Sequence, residues 1–167
     1  IIKVSNRSNI NPFYAIKIFE KGKELDPNLN KVINLSLGEP NENLPKKLLK
    51  QVSKNIENIK MGYTESIGII ELKKLISKHY KLRYRTNISD SNIAITSGAS
   101  AGLFLTIMAL FDQGDIIATT SPGYPCYNNI LKSLGYKNHV IQTKIQDNFQ
   151  LKADYLLKIP QNVKGLI

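Results

Sequence analysis

The chain has one cysteine, two histidines and 13 acidic residues against 23 basic ones. Each shortage excludes something. With Cys126 alone, neither an intrachain disulfide nor a cysteine-based metal cluster can form, and such cysteine usage fits a reducing cytoplasm. His79 falls in a lysine-rich helical stretch and His139 near a strand start, and neither has a partner at metal-ligand spacing. No metal site is therefore expected. Asp112 and Asp115 flank Gly114 and read as turn residues rather than an acid/base pair. No window approaches the ~18 apolar residues that a membrane span needs, and Ile1-Ile2 is too short an apolar run for a signal peptide. Repeats and low-complexity linkers are also absent.

The deficit of acids leaves a net charge of +10 and a pI near 9.6. Such a balance invites comparison with nucleic-acid binders. Here the lysines are dispersed, they far outnumber the arginines, and isoleucine and asparagine are abundant, a composition of AT-rich coding rather than of a basic patch. Neither a nucleic-acid partner nor a membrane is expected.

What the chain does contain is a strand, a small-residue turn and an apolar helix in succession. Asn92-Ile93-Ala94-Ile95-Thr96 is β-branched and short, Ser97-Gly98-Ala99-Ser100 follows, and Leu103 to Phe111 is apolar on every face, as in a buried helix. The free N–H groups at such a helix start, with the helix dipole, favour an anion by roughly 0.3–1 kcal/mol. Small residues let a phosphate approach the backbone, and Ser100 adds a hydroxyl. The same residues also start ordinary capped helices. Asp112-Gln113-Gly114-Asp115 then reads as a helix stop and Ile116 to Thr120 as the next strand, followed by the loop Ser121-Pro122-Gly123-Tyr124-Pro125. Ligands of open α/β sheets sit at the C-terminal ends of strands, where Tyr124 would offer a flat aromatic face.

Taken in order, Gly38-Glu39-Pro40, Gly62-Tyr63-Thr64-Glu65-Ser66-Ile67-Gly68 leading to Glu71-Leu72-Lys73-Lys74, Ile95 to Ser100, Gly114-Asp115, and Ser121 to Tyr127 resemble the N-terminal half of class I/II pyridoxal-phosphate aminotransferases. The resemblance runs from about Asn11 to the last residue. The Pro12-Phe13-Tyr14 arm and Tyr124-Pro125-Cys126-Tyr127 point to the bacterial aspartate/alanine-type branch. One departure is Lys73, where the family often has arginine at what is usually a surface helix position.

The resemblance implies an incomplete pyridoxal-phosphate transferase fold of type I: a truncated three-layer α/β/α large domain with an N-terminal arm and small-domain segment. Pyridoxal 5'-phosphate would be the cofactor, its phosphate on Gly98, Ala99 and Ser100 and its ring under Tyr124. Tyr63 would reach the phosphate of a homodimer partner, and Gly38 would lie against the substrate carboxylate. The Schiff-base lysine and the other late motifs of the family have no counterpart here, so no catalytic residue is assigned and the chain alone is expected to be inactive. The implied activity is transfer of an amino group between an amino acid and a 2-oxo acid once a C-terminal half completes the site. A lyase or synthase of the same fold, and a non-catalytic remnant or interaction protein, are the alternatives.

Organisation agrees with this division. Residues 1–44 read as arm and small-domain segment, with a short helix around Phe13–Glu20, a turn at Gly22/Pro27 and a strand at Val32–Leu35. Residues 45–167 read as the N-terminal part of the cofactor-binding domain. Pro45 opens a helix with Leu48, Leu49, Val52, Ile56 and Ile59 at helical spacing. Helix 66–84, strand 92–96, helix 100–111, strand 115–120, helix 125–134, strand 139–143, helix 153–158 and a last strand from Lys164 then alternate.

Overall fold

A computed structural model describes residues 3–28, 31–40, 42–60 and 62–167, so Ile1 and Ile2 lie outside the described residues. In chain order the helices and strands are α1 (Tyr14–Leu25), α2 (Lys46–Ile56), α3 (Ile70–Tyr84), α4 (Gly98–Leu110), β1 (Ile116–Ser121), α5 (Pro125–Leu134), β2 (Lys137–Gln142), α6 (Ala153–Leu156) and β3 (Val163–Leu166). They form two compact units, one of residues 1–37 and 103–167 and one of residues 38–102.

The first unit holds a parallel sheet in the order β2-β1-β3. Central β1 reads Ile-Ile-Ala-Thr-Thr-Ser, and Ile117, Ala118 and Thr119 are buried. A run apolar on both sides is what a strand covered on both faces requires. Ile117 meets Ile107 of α4 and Leu131 of α5 in the core, with Leu103, Phe111, Ile130, Leu134, Tyr136 and Ile167 packed around them. Burying a side chain such as Leu131 contributes roughly 1.5–3 kcal/mol. At Gly165, a Cβ would come within 2.4 Å of the Phe111 ring. Only glycine lets β3 lie that close to the end of α4.

The β1-α5-β2 connection follows local rules. Pro125 stands in the first turn of α5, where its missing N–H is not needed, and Gly135 closes the helix at φ +84°. Tyr136 N–H donates to the Leu131 carbonyl at 2.9 Å, a left-handed helix end that turns the chain straight into β2. The Tyr136 hydroxyl donates to the Phe111 carbonyl at 2.9 Å, tying that turn to the end of α4.

In the second unit, α3 starts at Ile70 rather than residue 66, because Gly68 has φ +104°, which no right-handed helix accommodates. Two expected strands do not form. Residues 32–35, which belong to the first unit, are irregular, with Ile33 and Leu35 almost fully exposed. Residues 90–92 make a short 3-10 turn, and the extended segment after it is held by one backbone bond, Ile95 N–H to the Ile67 carbonyl at 3.0 Å. A strand exists only through its ladder, and neither segment has one among the described residues.

Two further expectations are corrected. The helix from residue 98 is apolar all round, yet Ile107 is its only buried residue, while Leu105, Met108 and Leu110 are more than half exposed. Lys73, expected at the surface, is 7% exposed and is the only buried lysine among the described residues. Its long alkyl stem can be covered while the amine reaches outward. No helix among the described residues is long and apolar enough to cross a membrane, and no cluster of possible metal ligands is present there.

Candidate functional site

The start of α4 is shaped by Thr96. Gly98 N–H donates to the Thr96 carbonyl at 2.8 Å, and the Thr96 hydroxyl donates to the Gly98 carbonyl at 2.9 Å. This double contact holds Gly98 at φ +81°, with open space where a Cβ would be. Gly98 thus supplies conformation, its own N–H being turned back into the chain. The next N–H groups, of Ala99, Ser100 and Ala101, come too early in the helix to find an acceptor four residues back within it. Ala99 and Ser100 are exposed, and the Ser100 hydroxyl has no partner among the described residues. Exposed donors and a spare hydroxyl at one helix end fit a phosphate.

Supports below this turn are tight. A Cβ on Gly68 would meet the Ile95 side chain at 2.3 Å, and one on Gly102 would meet the Thr96 hydroxyl at 3.2 Å. Thr96 and Gly102 are positions the sequence reading did not assign. Their signal was the Thr-x-Gly spacing, a hydroxyl two residues before a glycine, which can bond the local backbone. Gly38 lies in the same unit in open space, and Tyr63 is fully exposed there.

Tyr124 belongs to the other unit. It is the residue before α5, half exposed, with its ring edge-to-face with Phe13 at 6.0 Å and with Tyr127 at 5.4 Å. Cys126, by hydrogen bonding first and by its charge second, pushes the Tyr124 hydroxyl above the ordinary tyrosine pKa. The loop before it carries a cis Ser121–Pro122 bond, and at Gly123 a Cβ would fall 2.4 Å from the Thr120 carbonyl oxygen. Thr120, Ser121, Gly123, Tyr124, Asn128 and Asn138 line a cleft of about 180 Å³ at the C-terminal end of β1. Asn138 is fixed there, accepting from the Thr119 hydroxyl at 3.0 Å and donating to Asn128 at 3.1 Å. The Phe13 contact was not anticipated, because nothing in sequence spacing links position 13 to position 124.

A parallel sheet with a cleft at a strand's C-terminal end, and a separate helix start with free donors, define an α/β protein of the kind that binds small ligands at strand and helix ends. Residues 30–167 match the family model for aminotransferase class I and II, and the chain belongs to that family. It is 32% identical over 99% of its length to the valine–pyruvate aminotransferase of Mycobacterium tuberculosis, and 39% identical over 77% to a (5-formylfuran-3-yl)methyl phosphate transaminase of Methanocaldococcus jannaschii. Among solved structures, an aminotransferase from M. tuberculosis superposes with a TM-score of 0.91 at 32% identity, and an aspartate aminotransferase from Thermotoga maritima with 0.85 at 30%. The chain covers 43% and 44% of those two structures and 42% and 35% of the two curated relatives. Members of this family generally depend on pyridoxal phosphate.

Proposed function

We propose that this chain is the cofactor-binding N-terminal part of a pyridoxal-phosphate aminotransferase, which moves an amino group between an amino acid and a 2-oxo acid when a C-terminal half completes it. The observation that carries this reading is the first turn of α4, with exposed Ala99 and Ser100 donors beyond a latched Gly98. Membership of a family that generally uses pyridoxal phosphate supports that cofactor as the ligand of this turn. In this reading residues 1–44 serve as arm and small-domain segment, and residues 45–167 as the N-terminal part of the cofactor domain, in the cytoplasm.

When bound, the cofactor's ring withdraws electrons from the substrate α-carbon. This chain's contribution is binding and orientation. Ala99 and Ser100 would hold the phosphate through backbone N–H groups and the Ser100 hydroxyl. Tyr124, braced by Phe13 and Tyr127, would present an aromatic face to the cofactor ring. Tyr63, fully exposed, is free to reach a partner subunit's phosphate, and Gly38, with no neighbour near its Cβ position, leaves room for a substrate carboxylate. Proton shuttling at the α-carbon needs a desolvated lysine amine; every described lysine except Lys73 is exposed.

Mixing the chain with the C-terminal segment of a class I/II relative tests the reading. Expected are one cofactor bound per chain and transamination in the mixture only, with borohydride fixing cofactor on a lysine of the added segment. Stoichiometric fixation on a single lysine of the 167 residues, with turnover by the chain alone, would overturn it.

A further inference from the structure

The sheet of the first unit has an edge at β2, paired with β1 on one side only. Lys137 N–H donates to the Asp115 carbonyl and Thr143 N–H to the Ser121 carbonyl, which fixes the phase of the ladder. Residues 137, 139, 141 and 143 therefore direct their backbone groups to β1. Asn138, Val140 and Gln142 direct theirs outward, and their N–H groups have no acceptor among the described residues.

A groove of about 270 Å³ runs along this edge. It is lined by four successive residues, His139 to Gln142, whose side chains alternate between the two faces of the sheet, so the groove follows the backbone edge and not one face. Lys144, Tyr155 and Lys158 form its other wall and continue into an adjoining hollow of about 200 Å³. That hollow adds Lys152 and two carboxylates. Asp147 is already engaged by Lys152 and by the Tyr155 hydroxyl at 2.7 Å, and Asp154 lies beside Lys152. Among the described residues no carboxylate lines the groove itself, and Lys144 and Lys158 are exposed along it without an ion pair, although Lys144 is near enough to Asp147 to help lower its pKa.

We propose that the β2 edge docks an extended acidic peptide segment of a partner protein, added as a fourth strand. Outward backbone groups at Asn138, Val140 and Gln142 supply the pairing, Val140 gives an apolar contact, and Lys144 and Lys158 select acidic side chains. A second copy of this chain fits poorly. Edge-to-edge pairing would bring Lys137, Lys144 and Lys158 of both copies together, and edge lysines are a common guard against that association. The guard that repels a like strand attracts an acidic one.

The test uses the full chain, with slow amide exchange at Ile117 to Thr119 as the check that its sheet is formed, immobilised at low density through its N-terminus, and a fluorescent six-residue peptide of alternating glutamate and valine. Binding is expected, with loss of at least about tenfold in affinity when alternate peptide amides are N-methylated, since methylation removes backbone donors but no side chain. Lys144→Glu with Lys158→Glu is expected to lose a similar factor and to gain affinity for an alternating lysine–valine peptide. In solution, the bound peptide should slow amide exchange at Asn138, Val140 and Gln142. The proposal fails if no binding is seen, if both N-methylated registers bind as well as the parent, if the charge-reversed chain keeps its preference, or if those amides gain protection with chain concentration alone, which would assign the edge to a second copy.

Discussion

Thr96 and Gly98 hold each other through two reciprocal hydrogen bonds, carbonyl to N–H at 2.8 Å and hydroxyl to carbonyl at 2.9 Å. The pair sets the direction in which α4 leaves the extended segment before it, and hence where the first free donors point.

Thr96→Val keeps the shape and removes the hydroxyl. Losing one hydrogen bond costs about 0.5–1.5 kcal/mol. The completed protein should release pyridoxal phosphate several-fold more readily, and Thr96→Ser should restore most of the affinity. Equilibrium titration by cofactor fluorescence reads both.

Gly98→Ala and Ser100→Ala should act by different routes. Alanine at φ +81° is strained by about 1 kcal/mol although the Cβ meets nothing, so the first variant should lower stability as well as affinity. Ser100→Ala should weaken cofactor retention by about 0.5–1.5 kcal/mol and leave the melting temperature in place. Paired titration and thermal denaturation separate the two.

Tyr124→Ala removes a ring edge-to-face with both Phe13 and Tyr127. Loss of about 0.5–1.5 kcal/mol per aromatic pair is expected, from cofactor affinity and from anchoring of the N-terminal arm together. Tyr124→Phe keeps the ring and should retain both. Protease sensitivity near residue 13, higher in the alanine variant only, checks the second effect.

The Asp147–Lys152 pair gives a pH dependence with a definite sign. Asp147 is held below the usual carboxylate pKa, first by its hydrogen bond from Lys152 and next by that from Tyr155. A depressed carboxylate contributes stability that is present above its unfolded pKa and lost as pH falls through the folded value. The link from residues 145–147 to α6 should therefore loosen only in acid, below the ordinary aspartate range. Carboxyl-carbon NMR should show the Asp147 titration moving upward in Lys152→Ala, with little change elsewhere.

Exposed apolar surface on α4 sets the behaviour of the chain by itself. Leu105, Met108 and Leu110 are more than half exposed on a helix with no polar face to turn outward. Contiguous apolar surface of that kind drives association. The purified 167 residues should bind a hydrophobic dye and melt broadly, and should sharpen on adding a C-terminal segment of a relative. A monodisperse sample with a steep unassisted transition would show that α4 is satisfied some other way.

Much of this molecule was legible in order of residues. The α5 span, Pro125–Leu134, coincides with the expected range because its proline start and glycine stop are both local signals. β1 and β2 came within a residue or two, since their β-branched runs are bounded by turns. Residues 92–96 carry the same kind of run and form no strand, because a ladder depends on a neighbour that propensity does not report. Burial of Lys73 was illegible for a similar reason: lysine's stem and amine have opposite preferences, and only packing decides between them. At the site, the small residues of the α4 turn announced a helix start that suits an anion. The latch by Thr96 and the brace by Phe13 are set by backbone geometry and by tertiary contact, which residue order does not encode locally.

Because β1 alone is paired on both sides, all inter-strand hydrogen bonding in this sheet passes through residues 115–121. The sheet has no redundancy. Either outer strand can fray without disturbing the other, but neither can outlast the middle one. Amides of Ile117 to Thr119 should be the last in the sheet to exchange, and a proline there would remove a ladder hydrogen bond from the one strand on which both neighbours depend.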